Sequence, residues 1–221
     1  MKICNLCNNI IIKINSGPFG SRCIRCFSTF IHRGIATVLK QLPYREDMYV
    51  YELSAHGALF KMLKKQYKYF TYSEYLDGVA PGTLKNGILC QDIQKLNFFD
   101  NSFDLVTSTE VFEHVPDDGK GFAQVYRVLK PDGMFVFTVP IDPNSFTVER
   151  AYIENGKVIS ILEPEIHGDH LRGGGILAYR NYGKDIVERL EKVGFREAGI
   201  KTITDIKHGI HKSHVVIAKK L

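Results

Sequence analysis

Four cysteines within the first 26 residues, Cys4-Asn5-Leu6-Cys7 and Cys23-Ile24-Arg25-Cys26, constrain this chain more than any other feature. Each pair has C-x2-C spacing, and fifteen residues separate the pairs. Two such knuckles aim four thiolates at one tetrahedral ion, with the intervening segment closing as a hairpin. Two disulfides are the alternative. No export signal precedes the cysteines, so a reducing, cytoplasmic location is expected, and there thiolates hold zinc. Four protein ligands leave no open position, which makes the implied Zn2+ structural. So short a segment buries too little apolar surface to fold unaided, and metal binding supplies its folding energy.

Within this module Ile10, Ile11, Ile12 and Ile14 read as a strand and Ser16-Gly17-Pro18 as its turn. Ser28 to Leu39 reads as a helix running into the main domain. Cys90, far away in an apolar stretch, reads as a small core residue.

The net charge of +5 is localised. Residues 1–40 hold six Lys and Arg and no acid, while the rest of the chain holds 23 basic and 24 acidic side chains. Four thiolates with one Zn2+ lower the module from +6 to about +4 by formal counting. Arg22, Arg25, His32 and Arg33 cluster near the second knuckle. They fit contact with nucleic acid or a phosphorylated substrate, and equally a packing role. At 221 residues the chain suits one sizeable domain with this appendage, divided here at 1–40 and 41–221. Its apolar runs, such as Ile10 to Ile12, fall far short of the ~20 residues of a membrane span. No membrane partner is expected, and the oligomeric state is left open.

From Tyr49 onward short apolar runs alternate with helical stretches, the pattern of parallel βαβ units. Strands are expected at Met48 to Leu53, Tyr69 to Tyr72, Gly87 to Leu89, Phe103 to Ser108 and Met134 to Val139. Helices are expected at Ala58 to Tyr67, Gly121 to Leu129 and Gly183 to Val193, with a Pro131-Asp132-Gly133 turn. The final strands, Ile200 to Thr204 and Val215 to Ala218, have no room for a crossover between them and must be antiparallel.

Three runs carry a resemblance: Asp100-Asn101-Ser102-Phe103-Asp104-Leu105-Val106, Glu113-His114-Val115, and Arg127-Val128-Leu129-Lys130-Pro131-Asp132-Gly133. Together they resemble the class I S-adenosylmethionine-dependent methyltransferases of the type 11 group, over roughly Tyr49 to Leu221. The resemblance implies an α/β, Rossmann-like, seven-stranded, mostly parallel sheet with an antiparallel last strand, here behind a zinc ribbon.

Ligands of open α/β sheets bind beyond the carboxyl ends of the strands, where strand order reverses. In the family the first such loop carries an acid and then glycines. Glu52 matches the acid, but Ser54, His56 and Ala58 stand where glycines are expected, and Gly57 alone supplies backbone freedom. The resemblance further implies that Glu74 chelates the ribose hydroxyls, that Asp92 and Ile93 receive the adenine, and that Thr109 and Glu110 border the methyl-donor pocket. Phe98 and Phe99 read as core. His114, one helical turn beyond Glu110, suits proton removal from a hydroxyl acceptor; the alternative is that Glu113 and His114 cap or brace a helix.

Residues 141–182 are too many for a simple connection and read as a substrate-side insertion or lid. Lys157 to Leu162 looks like a short strand within it. Pro164-Glu165-Ile166-His167-Gly168-Asp169-His170 offers His167, Asp169 and His170 for acceptor orientation, loop structure or a metal, and Gly173 to Gly175 suggest a hinge. His208, His211 and His214 suit either a solvated hairpin or a second metal site. The functional expectation is methyl transfer from S-adenosylmethionine to an oxygen or nitrogen acceptor, a small molecule or sugar-like metabolite. A catalytically silent binding or adaptor protein and a nucleic-acid methyltransferase using the basic module are the alternatives. A nicotinamide-dependent oxidoreductase lacks the G-x-G-x-x-G it would need.

Overall fold

The computed structural model describes residues 1–17, 19–169 and 171–221. The cysteine segment forms a three-stranded antiparallel sheet of β1 (Lys2–Ile3), β2 (Ile10–Lys13) and β3 (Ser21–Cys23). Ile14 falls just beyond β2, and the expected turn includes Pro18, which lies outside the described residues. Helix α1 (Phe30–Leu39) comes next, its first turn closed reciprocally by Thr29 and His32.

The larger unit begins with β4 (Tyr49–Glu52), α2 (Gly57–Gln66), β5 (Tyr69–Glu74), β6 (Leu84–Lys85), β7 (Ile88–Cys90), β8 (Phe103–Thr109), α3 (Asp118–Val128) and β9 (Leu129–Thr138). The insertion is built of short strands: β10 (Ile141–Asp142), β11 (Val148–Glu149), β12 (Ala151–Glu154), β13 (Lys157–Ser160), β14 (Ile166–His167), β15 (Ile176–Leu177) and β16 (Arg180–Gly183). Helix α4 (Ile186–Val193) and the hairpin β17 (Arg196–Asp205) and β18 (Ile210–Lys219) end the chain.

One sheet runs β17-β18-β9-β8-β4-β5-β7-β6. The pairs β9/β8, β8/β4, β4/β5 and β5/β7 are parallel, and β18 lies antiparallel to both β9 and β17. Seven strands follow the expected Rossmann-like order; β6 is an eighth, antiparallel to β7. It arises from Asn86-Gly87, both at positive φ (52° and 76°), the two-residue hairpin turn that strand twist favours. Gly87 is therefore a turn residue and not the first residue of a strand.

Alternation along the strands divides the core into two layers. Val50, Leu105, Val136, Val215 and Ile217 face α1 and α2, packing on Ile35, Val38, Leu59 and Leu63. Their neighbours Tyr51, Val106, Phe135, Phe137, Val216 and Ala218 face α3 and α4, packing on Phe122, Val125, Ile186 and Leu190. Phe98 joins this layer, edge-on to Tyr51 at 5.0 Å, and Cys90 is fully buried. Phe99 is 90% exposed and is not core.

Two boundaries depart from the sequence pattern. Lys130 to Gly133 bulge out of β9, because Leu129 pairs with Phe103 and Met134 with Leu105; the expected turn lies inside an otherwise continuous strand. Gly183, expected to open a helix, is instead the last residue of β16, which pairs with both β10 and β11, and the helix begins at Ile186.

The ribbon and the sheet are joined through α1. Gly34 meets Ser213 of β18 so closely that a Cβ could not fit. Arg33, one of the basic residues for which anion contact and packing were equally open, is fully buried; its guanidinium donates to Ser28 O (2.5 Å) and to Gly209 O (3.1 Å) in the β17–β18 turn. Ile3 N also donates to Lys207 O (3.0 Å). Among the described residues no helix is long and apolar enough to cross a membrane.

Candidate functional site

From β4 the chain crosses outward to β5 and β7, while from β8 it crosses the other way to β9. The β4/β8 border is thus the switch point, and beyond its carboxyl end lies a cleft of ≈420 Å3. Ser54, Glu74, Asp92, Ile93, Thr109, Glu110 and His114 all line it.

In the first half of the cleft Glu74, the last residue of β5, reaches the loop after β4. Its Oε2 accepts from Ala55 N (3.2 Å) and lies 3.1 Å from His56 Nδ1. Ser54 Oγ is 3.0 Å from the same nitrogen. Gly57 opens α2 at φ 88°, so the one glycine of this loop occupies its one left-handed position, whereas His56 is extended at φ −150°. None of the expected glycine positions, Ser54, His56 and Ala58, therefore needs a positive φ. Asp92 Oδ1 accepts from Gln94 N (2.8 Å), and Ile93 presents an apolar wall. Glu52 does not line the cleft. It is buried behind the loop with Thr107 Oγ1 donating to it, and burial pushes its carboxyl up to about 8.

The second half is chemically unlike the first. Thr109 Oγ1 is buried without a hydrogen-bond partner, and Glu110 stands beside it at φ 53° with its carboxyl pushed up to about 7 by burial. Phe112 to His114 form one 3-10 turn, so His114 is not a helical turn beyond Glu110. Glu113 and His114 cap nothing either, since Asp117 caps α3 by accepting from Lys120 N (3.0 Å). Instead Glu113 is fully buried, and among the described residues neither carboxylate oxygen has a hydrogen-bond partner. Its Oε1 lies 3.6 Å from His114 Nε2 and 3.8 Å from Nδ1 of His167. The two imidazoles meet edge-on at 4.9 Å. Burial lowers the His114 pKa, keeping the ring neutral.

Arg180 holds this turn in place. Its guanidinium donates to Val115 O (2.5 Å) and Pro116 O (2.7 Å) and pairs with Glu149 at 3.0 Å. No local sequence signal marks Arg180, because its backbone partners are carbonyls 64 to 68 residues away. Arg172, at the head of the glycine run, clasps the insertion to the loop after β5 through Asp77 (2.7 Å), Tyr75 O (3.2 Å) and Asp169. His170 lies outside the described residues. His208 pairs with Asp205 (2.6 Å) and His214 with Thr202 (3.0 Å); among the described residues neither belongs to a cluster able to hold a metal.

Away from the cleft, the sulfurs of Cys4, Cys7, Cys23 and Cys26 all lie within 4.8 Å of one another, and no disulfide joins them. The Cys4–Cys26 and Cys7–Cys23 separations are 3.6 and 3.3 Å. A tetrahedral ion with Zn–S bonds of about 2.3 Å sets sulfurs about 3.8 Å apart, so the cluster fits zinc with little movement. Leu6 N already points at Cys4 Sγ (3.4 Å), the knuckle geometry that orients a thiolate ligand.

Strand order and cleft define a Rossmann-like α/β protein with a ligand site at its switch point. Residues 53–137 match the family described as a methyltransferase domain. The chain is 33% identical over 108 residues to 24-methylenesterol C-methyltransferase 2 of Arabidopsis thaliana, an alignment covering 49% of this chain and 27% of that protein. The chain thus spans about a quarter of the length of that relative. Its fold is shared with an S-adenosylmethionine-dependent methyltransferase from Mesorhizobium loti (TM-score 0.54, 20% identity, 83% of this chain and 96% of that one). It is shared also with the Burkholderia thailandensis 1,6-didemethyltoxoflavin-N1-methyltransferase, solved with its substrate and S-adenosylhomocysteine (TM-score 0.52, 15% identity, 86% and 78%). Residues 53–137 are thus a methyltransferase domain, in a chain whose fold is that of S-adenosylmethionine-dependent methyltransferases of known structure.

Proposed function

We propose that this chain transfers a methyl group from S-adenosylmethionine to an oxygen or nitrogen acceptor on a small, sugar-like metabolite. The observation that carries the reading is that Ser54, Glu74, Asp92, Ile93, Thr109 and Glu110, from four separate strand ends, line one cleft at the switch point. Three carboxyl groups, an apolar wall and an unsatisfied hydroxyl suit a ligand with ribose, adenine and amino-acid portions. Glu74 takes the ribose diol, Asp92 the adenine amine, and Ile93 the ring face. Gly57 and the small Ser54 let the backbone approach the ligand, while Glu52 supports the loop from behind.

S-adenosylmethionine, when bound, supplies an electrophilic methyl carbon on a sulfonium. The protein's task is to hold an acceptor lone pair in line with it, exclude water and receive a proton. As the acceptor–carbon bond forms the carbon–sulfur bond breaks, the electron pair stays on sulfur, and the acceptor proton leaves. His114 faces the cleft with Nδ1 2.8 Å from Leu177 O; that contact fixes Nδ1 as the donor and leaves Nε2 as a proton acceptor beside His167. Residues 141–182, clasped by Arg172, serve as the lid on the acceptor side. Residues 1–40 serve as a zinc-stabilised brace of the 41–221 catalytic unit, since Arg33 is spent on Ser28 and Gly209. This placement favours a small-molecule acceptor over nucleic acid.

Calorimetric titration with S-adenosylhomocysteine tests the reading. A single site of micromolar Kd in the wild type, weakened in Glu74→Ala, is the expected outcome. No heat at near-millimolar ligand would leave the silent adaptor as the better account.

A further inference from the structure

Glu113, His114 and His167 form a second cluster whose three ligand atoms lie within 4.8 Å of one another, with no cysteine in it and no link to the ribbon. We infer that these residues bind one divalent first-row transition-metal ion, with open coordination positions facing the cleft.

Three observations converge. A fully buried carboxylate without a single hydrogen-bond donor is costly unless a cation neutralises it, and Glu113 has none on either oxygen. Each imidazole is oriented from its far side, as metal-bound histidines are: His114 Nδ1 sits 2.8 Å from Leu177 O, and His167 Nε2 sits 2.9 Å from Glu165 Oε1. Glu165 is itself held, by Asn181 Nδ2 (3.2 Å) and by Arg150 Nε (3.3 Å). The nitrogens left over, His114 Nε2 and His167 Nδ1, both turn to Glu113 Oε1 at 3.6 and 3.8 Å. Bonds of about 2.0 to 2.2 Å set neighbouring donor atoms about 3 to 3.6 Å apart, so a small contraction closes the site. Two imidazoles and one carboxylate with vacant positions suit manganese, iron, cobalt or zinc better than magnesium or calcium.

Of the three ligands His114 lines the cleft, with Glu110 beside it and Gly168 and Asp169 following His167, so a vacant position on that side opens onto it, where the acceptor would stand. Resting on the methyltransferase reading, the ion takes an acceptor hydroxyl as a ligand and lowers its pKa. The proton leaves to solvent, the oxygen forms its bond to the methyl carbon, and the carbon–sulfur electron pair passes to sulfur. With the ion bound, His114 Nε2 is a ligand, and this replaces the proton-acceptor role it has in the metal-free reading above.

The test uses the full chain with its thiolate cluster filled by one equivalent of zinc. It is titrated with Mn2+, followed by loss of the free-ion electron paramagnetic resonance signal, and separately with Co2+, followed by its d–d absorption. The wild type should take up one further ion per chain. His167→Ala, in the short, partly exposed strand β14, should bind at least tenfold more weakly with an unchanged melting curve, and Glu165→Gln should bind about tenfold more weakly through loss of orientation. Uptake of neither ion by the wild type, or equal uptake by both variants, would overturn the site. S-adenosylhomocysteine affinity is measured on the same samples; its absence beside intact metal uptake would break the methyltransferase reading alone.

Discussion

Among the described residues two clusters of side chains could hold a metal ion, and they differ in almost every respect. The four cysteines come from 23 consecutive residues and face one another across a small antiparallel sheet, with no donor atom turned to the cleft. Glu113 and His114 come from a 3-10 turn and His167 from the short strand β14, 53 residues beyond His114; among the described residues the carboxylate has no hydrogen bond, and the cluster borders the switch-point cleft through His114. A closed set of ligands stabilises; an open one leaves positions for a substrate. The contrast separates a cluster that holds the chain together from one that its fold must hold together.

Four expectations would break or sharpen this contrast, in decreasing order of effect. Cys4→Ser, or zinc chelation, should unfold the ribbon and loosen α1, lowering the melting temperature by about 10 °C or more, whereas His167→Ala should leave it unchanged. Equal losses in circular-dichroism melts would erase the distinction.

Glu52 supplies a second buried carboxylate, one that does have a donor, Thr107. Its native pKa of about 8 exceeds the ordinary value of 4.5, so the folded chain keeps a proton that the unfolded chain releases between those values. The stability this group confers is complete below pH 4.5 and is lost as pH rises toward 8, by up to about 5 kcal/mol. Glu52→Gln should flatten that part of the pH profile in urea titrations and raise stability at pH 8. A parallel, unshifted profile would show that Glu52 is ionised in the native state.

Glu74→Ala should weaken S-adenosylhomocysteine binding by about 2 kcal/mol, some thirtyfold, with little change in melting. Unchanged affinity by calorimetry would move the ribose elsewhere in the cleft. Arg172→Ala, which unclasps the insertion from the loop after β5, should shorten the ligand's residence time only a few-fold, because its contacts with Asp77 are largely exposed. A residence time equal to that of the wild type in stopped-flow displacement would remove the lid from the donor side.

Much of this architecture is legible in the chain. Apolar runs alternating with helical ones indicate the parallel sheet, and the missing crossover before Val215 indicates its antiparallel end. The cysteine spacing indicates the ribbon, because both signals are local and each repeats a fixed period. The hairpin at Asn86-Gly87 is legible too, in the turn preference of that pair, although the apolar run beside it reads first as a strand beginning at Gly87. Phe99 misleads for the opposite reason: an aromatic beside a buried aromatic still points outward when the chain there is irregular.

The sequence by itself determined the order of elements, the two acids Glu74 and Asp92 that line the cleft and the four clustered cysteines. Each is set by residues a few positions apart, or by a motif whose place in the βαβ order is fixed. Only the tertiary structure decided that Arg33 is buried as a brace, that Glu52 stands behind the cleft, and that Glu113 lies desolvated between two histidines. Burial and charge pairing depend on which distant segments close over a residue. The insertion that carries His167 onto Glu113 is positioned by Arg172, Arg180 and the β16 pairings, none of which has a local sequence period.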